Sequence, residues 1–159
     1  MISPTQSVFI PGRLISDNAL IAFECMHSLS TLKDNRGAYC AYKLDLAKAY
    51  DRVDWKFLES MPRAYGFAPV WVNWIMTCVT SVKFSVRLNG QLLDSFVPSR
   101  GLRQGDPLLP YLFMFVAEAL SLLLQEACEK GDLKDFRLSK NGPRISHFLF
   151  ADDRLLFFK

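Results

Sequence analysis

The chain has 159 residues, the size of one compact domain, and half of them are hydrophobic, enough to bury a core. Its net charge of +3 is compatible with a nucleic-acid partner without requiring one. Four cysteines without Cys-x-x-Cys spacing, beside only two histidines, exclude an ordinary zinc site. They read as buried reduced thiols, and residues 1–6, Met-Ile-Ser-Pro-Thr-Gln, lack the basic and apolar regions of a secretory signal.

In chain order, Val8-Phe9-Ile10-Pro11-Gly12-Arg13 reads as an extended segment and a turn. Ser16 or Asp17 is a good N-cap for a helix whose apolar stripe is Ile15, Ala19, Ala22, Phe23, Met26 and Leu29. The polar run Lys33 to Gly37 stops it. A strand over 39–46 follows, from Tyr39 to Leu46, and carries Asp45 near its end. Asp54 caps a helix through Trp55, Phe57, Leu58 and Met61, in which Pro62 predicts an early end or a kink. Pro69 suits the first turn of the next helix. Residues 82–88 alternate cleanly, and Asn89-Gly90 predicts a hairpin returning over 91–97.

A loop of two arginines, two glycines and a proline spans Ser99 to Pro107. The helix after it, 110–130, contains the apolar run 108–124. Pro110 and Glu118 interrupt that run, and it is shorter than the roughly 20 residues of a membrane span, so it reads as a buried helix. Gly131 and Asp132 end it, and Asn141-Gly142-Pro143 turns the chain toward a last hairpin. The order of elements is that of an α+β fold, an antiparallel sheet packed against helices.

The last hairpin carries the chemistry. Phe148, Phe150, Leu156 and Phe158 have the bulk of buried strand residues, and Asp152 and Asp153 sit at the turn between the two runs. Two carboxylates ~4 Å apart repel by about 4 kcal/mol at an effective dielectric near 20, so they either face water in an ordinary turn or share a cation. Asp45 tips the choice toward a cation. If its strand joins the same sheet, Asp45 and Asp152 converge, and an all-oxygen donor set suits Mg²⁺ with waters and phosphates completing its shell. A Lys43–Asp45 ion pair is the competing structural reading of that acid.

Three motifs carry a resemblance. Phe150-Ala151-Asp152-Asp153 resembles the x-x-Asp-Asp box of reverse transcriptases. Asp45-Leu46-Ala47-Lys48-Ala49-Tyr50-Asp51 resembles their first catalytic motif, and Arg100-Gly101-Leu102-Arg103-Gln104-Gly105-Asp106-Pro107 their intervening loop and helix. The wording is most similar to plant non-LTR (LINE-type) retrotransposons, including Phe9 to Arg13 and Asp17-Asn18, over nearly the whole chain. The resemblance implies a right-hand polymerase palm with part of the fingers, an incomplete domain over residues 1–159 without its thumb, in the nucleus or cytoplasm.

The same resemblance implies RNA-directed DNA synthesis: a dNTP joined to a DNA primer on an RNA template, using Mg²⁺ or alternatively Mn²⁺, away from membranes. Asp45 and Asp152 would be the principal metal ligands, with the Leu46 carbonyl as a further oxygen and Asp153 beside the primer end. Tyr50 would exclude a 2′-hydroxyl, or else be an ordinary core aromatic. Gln104 and Gly105 would touch nucleotide and template, and Arg100 and Arg103 would contact phosphate or else be solvated. His147 reads as a packed or strand-surface residue. Arg154 stands where the family has a small hydroxylic residue and could pair with Asp153; Leu109 replaces a typical serine, and Pro62 interrupts a helix. The alternative to a polymerase is an inactive retroelement fragment with residual nucleic-acid binding.

Overall fold

The computed structural model describes residues 2–31, 39–139 and 142–159. The expected stop at Lys33–Gly37 and the turn residue Asn141 lie outside the described residues. The chain divides into two compact units, one of Met1–Ala47 with Ala117–Lys159, the other of Lys48–Val116.

The first unit is built on a three-stranded antiparallel sheet in the order β1-β7-β6, with β1 Cys40–Asp45, β6 His147–Phe150 and β7 Asp153–Phe158. Helix α1, Ile15–Thr31, lies against one face. Its core-facing residues are Asn18, Ala22 and Cys25, with Leu29 partly buried, rather than the whole stripe expected from apolar spacing. Phe23 is 71% exposed and Ile15 and Met26 are also exposed, so the helix is rotated away from that stripe. A polar anchor accounts for the rotation: the Asn18 side-chain amide donates to the Thr5 carbonyl at 2.8 Å.

Ala22, Cys25, Phe136, Ile145, Phe148 and Phe157 form the core of this unit. Phe136 and Ile145 come from the small ladder of β4, Phe136–Arg137, and β5, Arg144–Ile145. On β7 the fully buried aromatic is Phe157, while Leu156 and Phe158 are half-buried. Residues 8–13 are a pair of turns rather than an extended segment, because Phe9 and Gly12 both take positive φ. The preceding residues run beside β6 instead, where Gln6 bridges Leu149 in parallel and the Leu149 N–H donates to Thr5. The Arg13 guanidinium ties them down by donating to the Ser3 and Gln6 carbonyls.

The other unit holds α2, Trp55–Ala64, and α3, Pro69–Thr80. Asp54 caps α2 as expected, its carboxylate accepting from the Phe57 N–H at 2.8 Å. Pro62 is accommodated in the last turn, so only the Leu58 carbonyl loses a helical donor. The helix then ends in a Schellman arrangement, with Gly66 at φ 77 and the Phe67 N–H bonded back to Pro62. Asn89 (φ 48) and Gly90 (φ 85) form the expected tight turn, but β2, Arg87–Leu88, and β3, Gln91–Leu92, are only two residues each. The ladder resumes at Phe84 and Phe96 after one extra residue on the return side, a bulge.

The chain passes from this unit to the first within α4, Leu109–Lys130. By length and composition α4 could cross a membrane. Yet its polar residues Glu118 and Ser121 are buried, and they bond Ser3 and His147. Two of the four thiols depart from the buried reading: Cys25 is buried and Cys128 half-buried, but Cys40 and Cys78 are exposed. Burial, with a smaller contribution from Glu24, pushes the Cys25 thiol up to about 11.

Candidate active site

The turn between β6 and β7 is set by pairing. Phe150 lies opposite Asp153, leaving Ala151 and Asp152 as a two-residue loop. Ala151 takes φ 56, where glycine is the usual occupant and a side chain costs about 1–3 kcal/mol. Strained non-glycine backbone of this kind concentrates at functional sites.

The register of β1 with β7 sets Asp45 directly across from Asp153. Cross-strand partners share a sheet face, so the two carboxylates emerge side by side, with Asp152 one residue away in the loop. Asp45 is exposed and Asp153 half-buried. Lys43, two residues before Asp45 and on the same face, places its ammonium 3.1 Å from Asp153. The ion pair at this strand is therefore Lys43–Asp153 and offsets the repulsion between the facing acids.

Asp45 and Asp153 are two facing carboxylates rather than a complete cage. Among the described residues no three Asp, Glu, His or Cys side chains gather closely enough to hold a metal by themselves. Mg²⁺ usually takes one or two carboxylates and fills its shell with water and phosphate oxygens, so the donor set fits that ion. Leu46 follows Asp45 just past the strand and is half-buried.

Arg154 does not lie beside Asp153. Strand alternation sends its side chain to the opposite sheet face, between Leu44 and Leu149, where it is 1% exposed. Its guanidinium donates to the main-chain carbonyl of Asp152 at 2.8 Å. His147 is on that face too, fully buried, with Nε2 at 2.6 Å from the Ser121 hydroxyl and 3.1 Å from that of Thr5, and Nδ1 at 2.8 Å from that of Ser146. Burial lowers its pKa to about 4. The packed alternative for His147 is the observed one.

Tyr50, Arg103, Gln104 and Gly105 belong to the second unit. Tyr50 opens a short 3-10 turn, Tyr50–Arg52, and its half-buried ring lies 4.5 Å from that of Phe113. Its carbonyl accepts from the Leu102 N–H at 2.9 Å, and the Val53 carbonyl accepts from Gly101 at 2.8 Å. The Trp55 indole donates to the Gly101 carbonyl at 2.7 Å. The loop is thus fastened to the segment after Tyr50 through Gly101, which sequence reasoning passed over. Gly101 has φ 89, and a Cβ there would lie 2.8 Å from the Asp51 carbonyl oxygen.

Arg103, Gln104 and Gly105 are exposed. Gly105 has φ 86 with open space around it, so conformation rather than crowding calls for glycine here. Asp106 turns the chain into α4, its carboxylate accepting from the Leu108 N–H at 2.8 Å. Arg100 and Arg103 line a cavity of about 310 Å³ together with Trp55, Phe84 and Phe96.

An antiparallel sheet with facing acids beside a strained hairpin turn has the architecture of a polymerase palm. In fold the chain is similar to an apo telomerase from Candida tropicalis, with a TM-score of 0.63 and 14% identity over 91% of this chain and 29% of that one. It is similar in the same way to the telomerase of Candida albicans, with a TM-score of 0.62 and 15% identity over 91% of this chain and 26% of that one. The chain belongs to the reverse transcriptase (RNA-dependent DNA polymerase) family, whose model matches residues 1–159.

Transposon and retrotransposable-element proteins are among its relatives. It is 32% identical to the transposon TX1 uncharacterized 149 kDa protein of Xenopus laevis over 98% of this chain and 11% of that protein. It is 34% identical to the Pol polyprotein of the type-2 retrotransposable element R2DM of Drosophila melanogaster over 97% of this chain and 14% of that protein. An uncharacterized mitochondrial protein of Arabidopsis thaliana is 56% identical over 42% of this chain and 54% of its own length. The chain therefore spans about half or much less of the curated relatives it matches.

Proposed function

We propose that residues 1–159 belong to one reverse transcriptase domain, palm with part of the fingers, and that Asp45, Asp152 and Asp153 serve Mg²⁺, or Mn²⁺ in its place, together with the water and phosphate oxygens that complete its shell, for nucleotidyl transfer from a dNTP to a DNA primer on an RNA template. The observation that carries this reading is the pairing of Asp45 with Asp153 across β1 and β7, one residue from Asp152 in the strained loop. Bound there, divalent metal supplies activation of the primer hydroxyl and charge stabilisation on the leaving pyrophosphate. The carboxylates orient it, and the Leu46 carbonyl is a further oxygen on the same chain segment.

In the second unit the Tyr50 ring, held against Phe113, is the group that excludes a 2′-hydroxyl. Gln104 and Gly105 meet nucleotide and template, and Arg103 meets phosphate. Primer extension on poly(rA) with oligo(dT), dTTP and Mg²⁺ tests the reading. Incorporation abolished by Asp152→Ala supports it; no incorporation by folded protein contradicts it for this chain alone.

A second reading is favoured by the Lys43–Asp153 ion pair, which sets an ammonium beside a carboxylate that the first reading gives to metal. In it the chain keeps the family fold without turnover and retains residual nucleic-acid binding. Such binding falls steeply with salt and is indifferent to Mg²⁺.

A further inference from the structure

Two features stand outside the machinery just described: the exposed apolar side of α1 and Arg154. Nothing shows what covers the first. Arg154 carries an inference, because two independent observations meet at it. A cation is buried inside the sheet on the middle strand, and its donor reaches the carbonyl of the loop residue that follows the strained Ala151.

A two-residue loop with one non-glycine positive φ persists only where its surroundings over-determine it. Strand pairing fixes the ends of this loop, Phe150 and Asp153, but leaves the Asp152 carbonyl, in the peptide that joins Asp152 to Asp153, to be held otherwise. The Arg154 guanidinium supplies that hold from beneath, at the carbonyl of Asp152 itself. A buried charge is retained at a cost unless it is hydrogen-bonded, so its use here is specific.

We propose that Arg154 is a positioning residue: by holding the Asp152 carbonyl it fixes the loop and the direction in which the Asp152 side chain leaves it. The consequence for metal rests on the polymerase reading; the consequence for the loop does not. Arg154 acts through Asp152 and approaches from the sheet face opposite Asp45 and Asp153.

The test uses the whole chain with Arg154→Met, Arg154→Gln and Arg154→Lys, read by amide exchange over residues 150–154 without metal and by Mn²⁺ affinity from electron paramagnetic resonance. Arg154→Met speeds exchange in that peptide while leaving α3 unchanged, and it weakens Mn²⁺ by about tenfold or more, the size of effect known for groups that orient metal ligands. Arg154→Lys and Arg154→Gln, which keep a donor, restore protection and most of the affinity. A folded Met variant with parental exchange and parental affinity overturns the proposal. If the Met variant does not fold, Gln decides: protection lost despite a retained donor overturns it, and protection kept supports it. If the parent shows no saturable Mn²⁺ binding, the polymerase reading fails, and exchange alone still judges the role of Arg154.

Discussion

Lys43 and Asp153 pair at 3.1 Å on the sheet face that also carries Asp45, so a lysine ammonium neighbours a carboxylate proposed to serve a metal. Both side chains are substantially exposed, which limits the pair to about 0–1 kcal/mol of stability. Its larger effect is competition. Lys43→Met is expected to leave the unfolding midpoint nearly unchanged and to tighten Mn²⁺ binding by up to about fivefold, since 1.4 kcal/mol corresponds to a factor of ten. A Mn²⁺ titration of parent and variant checks this, and weaker binding in the variant would assign Lys43 a supporting role instead.

His147 predicts a pH dependence of stability. Its pKa is about 4 in the folded chain against 6.5 for the ordinary side chain, because burial disfavours the charged ring. Below pH 6.5 the unfolded chain takes up a proton that the folded chain refuses until about pH 4, so the stability from this group is complete above pH 6.5 and is lost as pH falls toward 4. The loss is on the order of 3 kcal/mol across the window. Urea unfolding at pH 7 and pH 5 should show the decline, and His147→Gln should flatten it.

Two glycines with nearly the same φ should differ under substitution. Gly101→Ala forces a Cβ to 2.8 Å from the Asp51 carbonyl oxygen on top of the φ penalty, and it disturbs the segment that follows Tyr50. Gly105→Ala meets open space and bears only the backbone penalty of about 1–2 kcal/mol. Denaturant unfolding is expected to rank Gly101→Ala as clearly the more damaging. Equal losses would mean that the loop moves off Asp51 without cost.

Tyr50→Val is expected to raise ribonucleotide incorporation relative to deoxyribonucleotide in primer extension, with little change in dTTP use. On the proposed reading the smaller side chain would leave room for one oxygen beside the sugar where the ring, set against Phe113, would not. Unchanged discrimination would return Tyr50 to the status of a core aromatic.

Local signals carried most of this fold. Asp54 as a cap, Pro69 at a helix start, Asn89-Gly90 as a hairpin turn and Gly131 as a helix stop act within a few residues, and each element formed where its signal stood. What failed was set by distant partners. The rotation of α1 depends on Asn18 reaching Thr5, and the turns at Phe9 and Gly12 belong to a segment that runs beside Leu149. The site divides along the same line. Asp45 and the aspartate pair were legible as motifs, but which acid Lys43 meets depends on register, and the direction of Arg154 depends on strand alternation. Gly101 was legible only as a member of the loop motif and not as its fastening point, because its constraint is the Asp51 backbone.

The central claim is that Asp45, Asp152 and Asp153 act together on a divalent ion. Mn²⁺ binding to the parent chain in the presence of dTTP, compared with Asp45→Asn and Asp152→Asn, tests it most directly. Saturable binding weakened by about tenfold or more in each variant is the result expected for lost metal-site groups; parental affinity in both variants would contradict it.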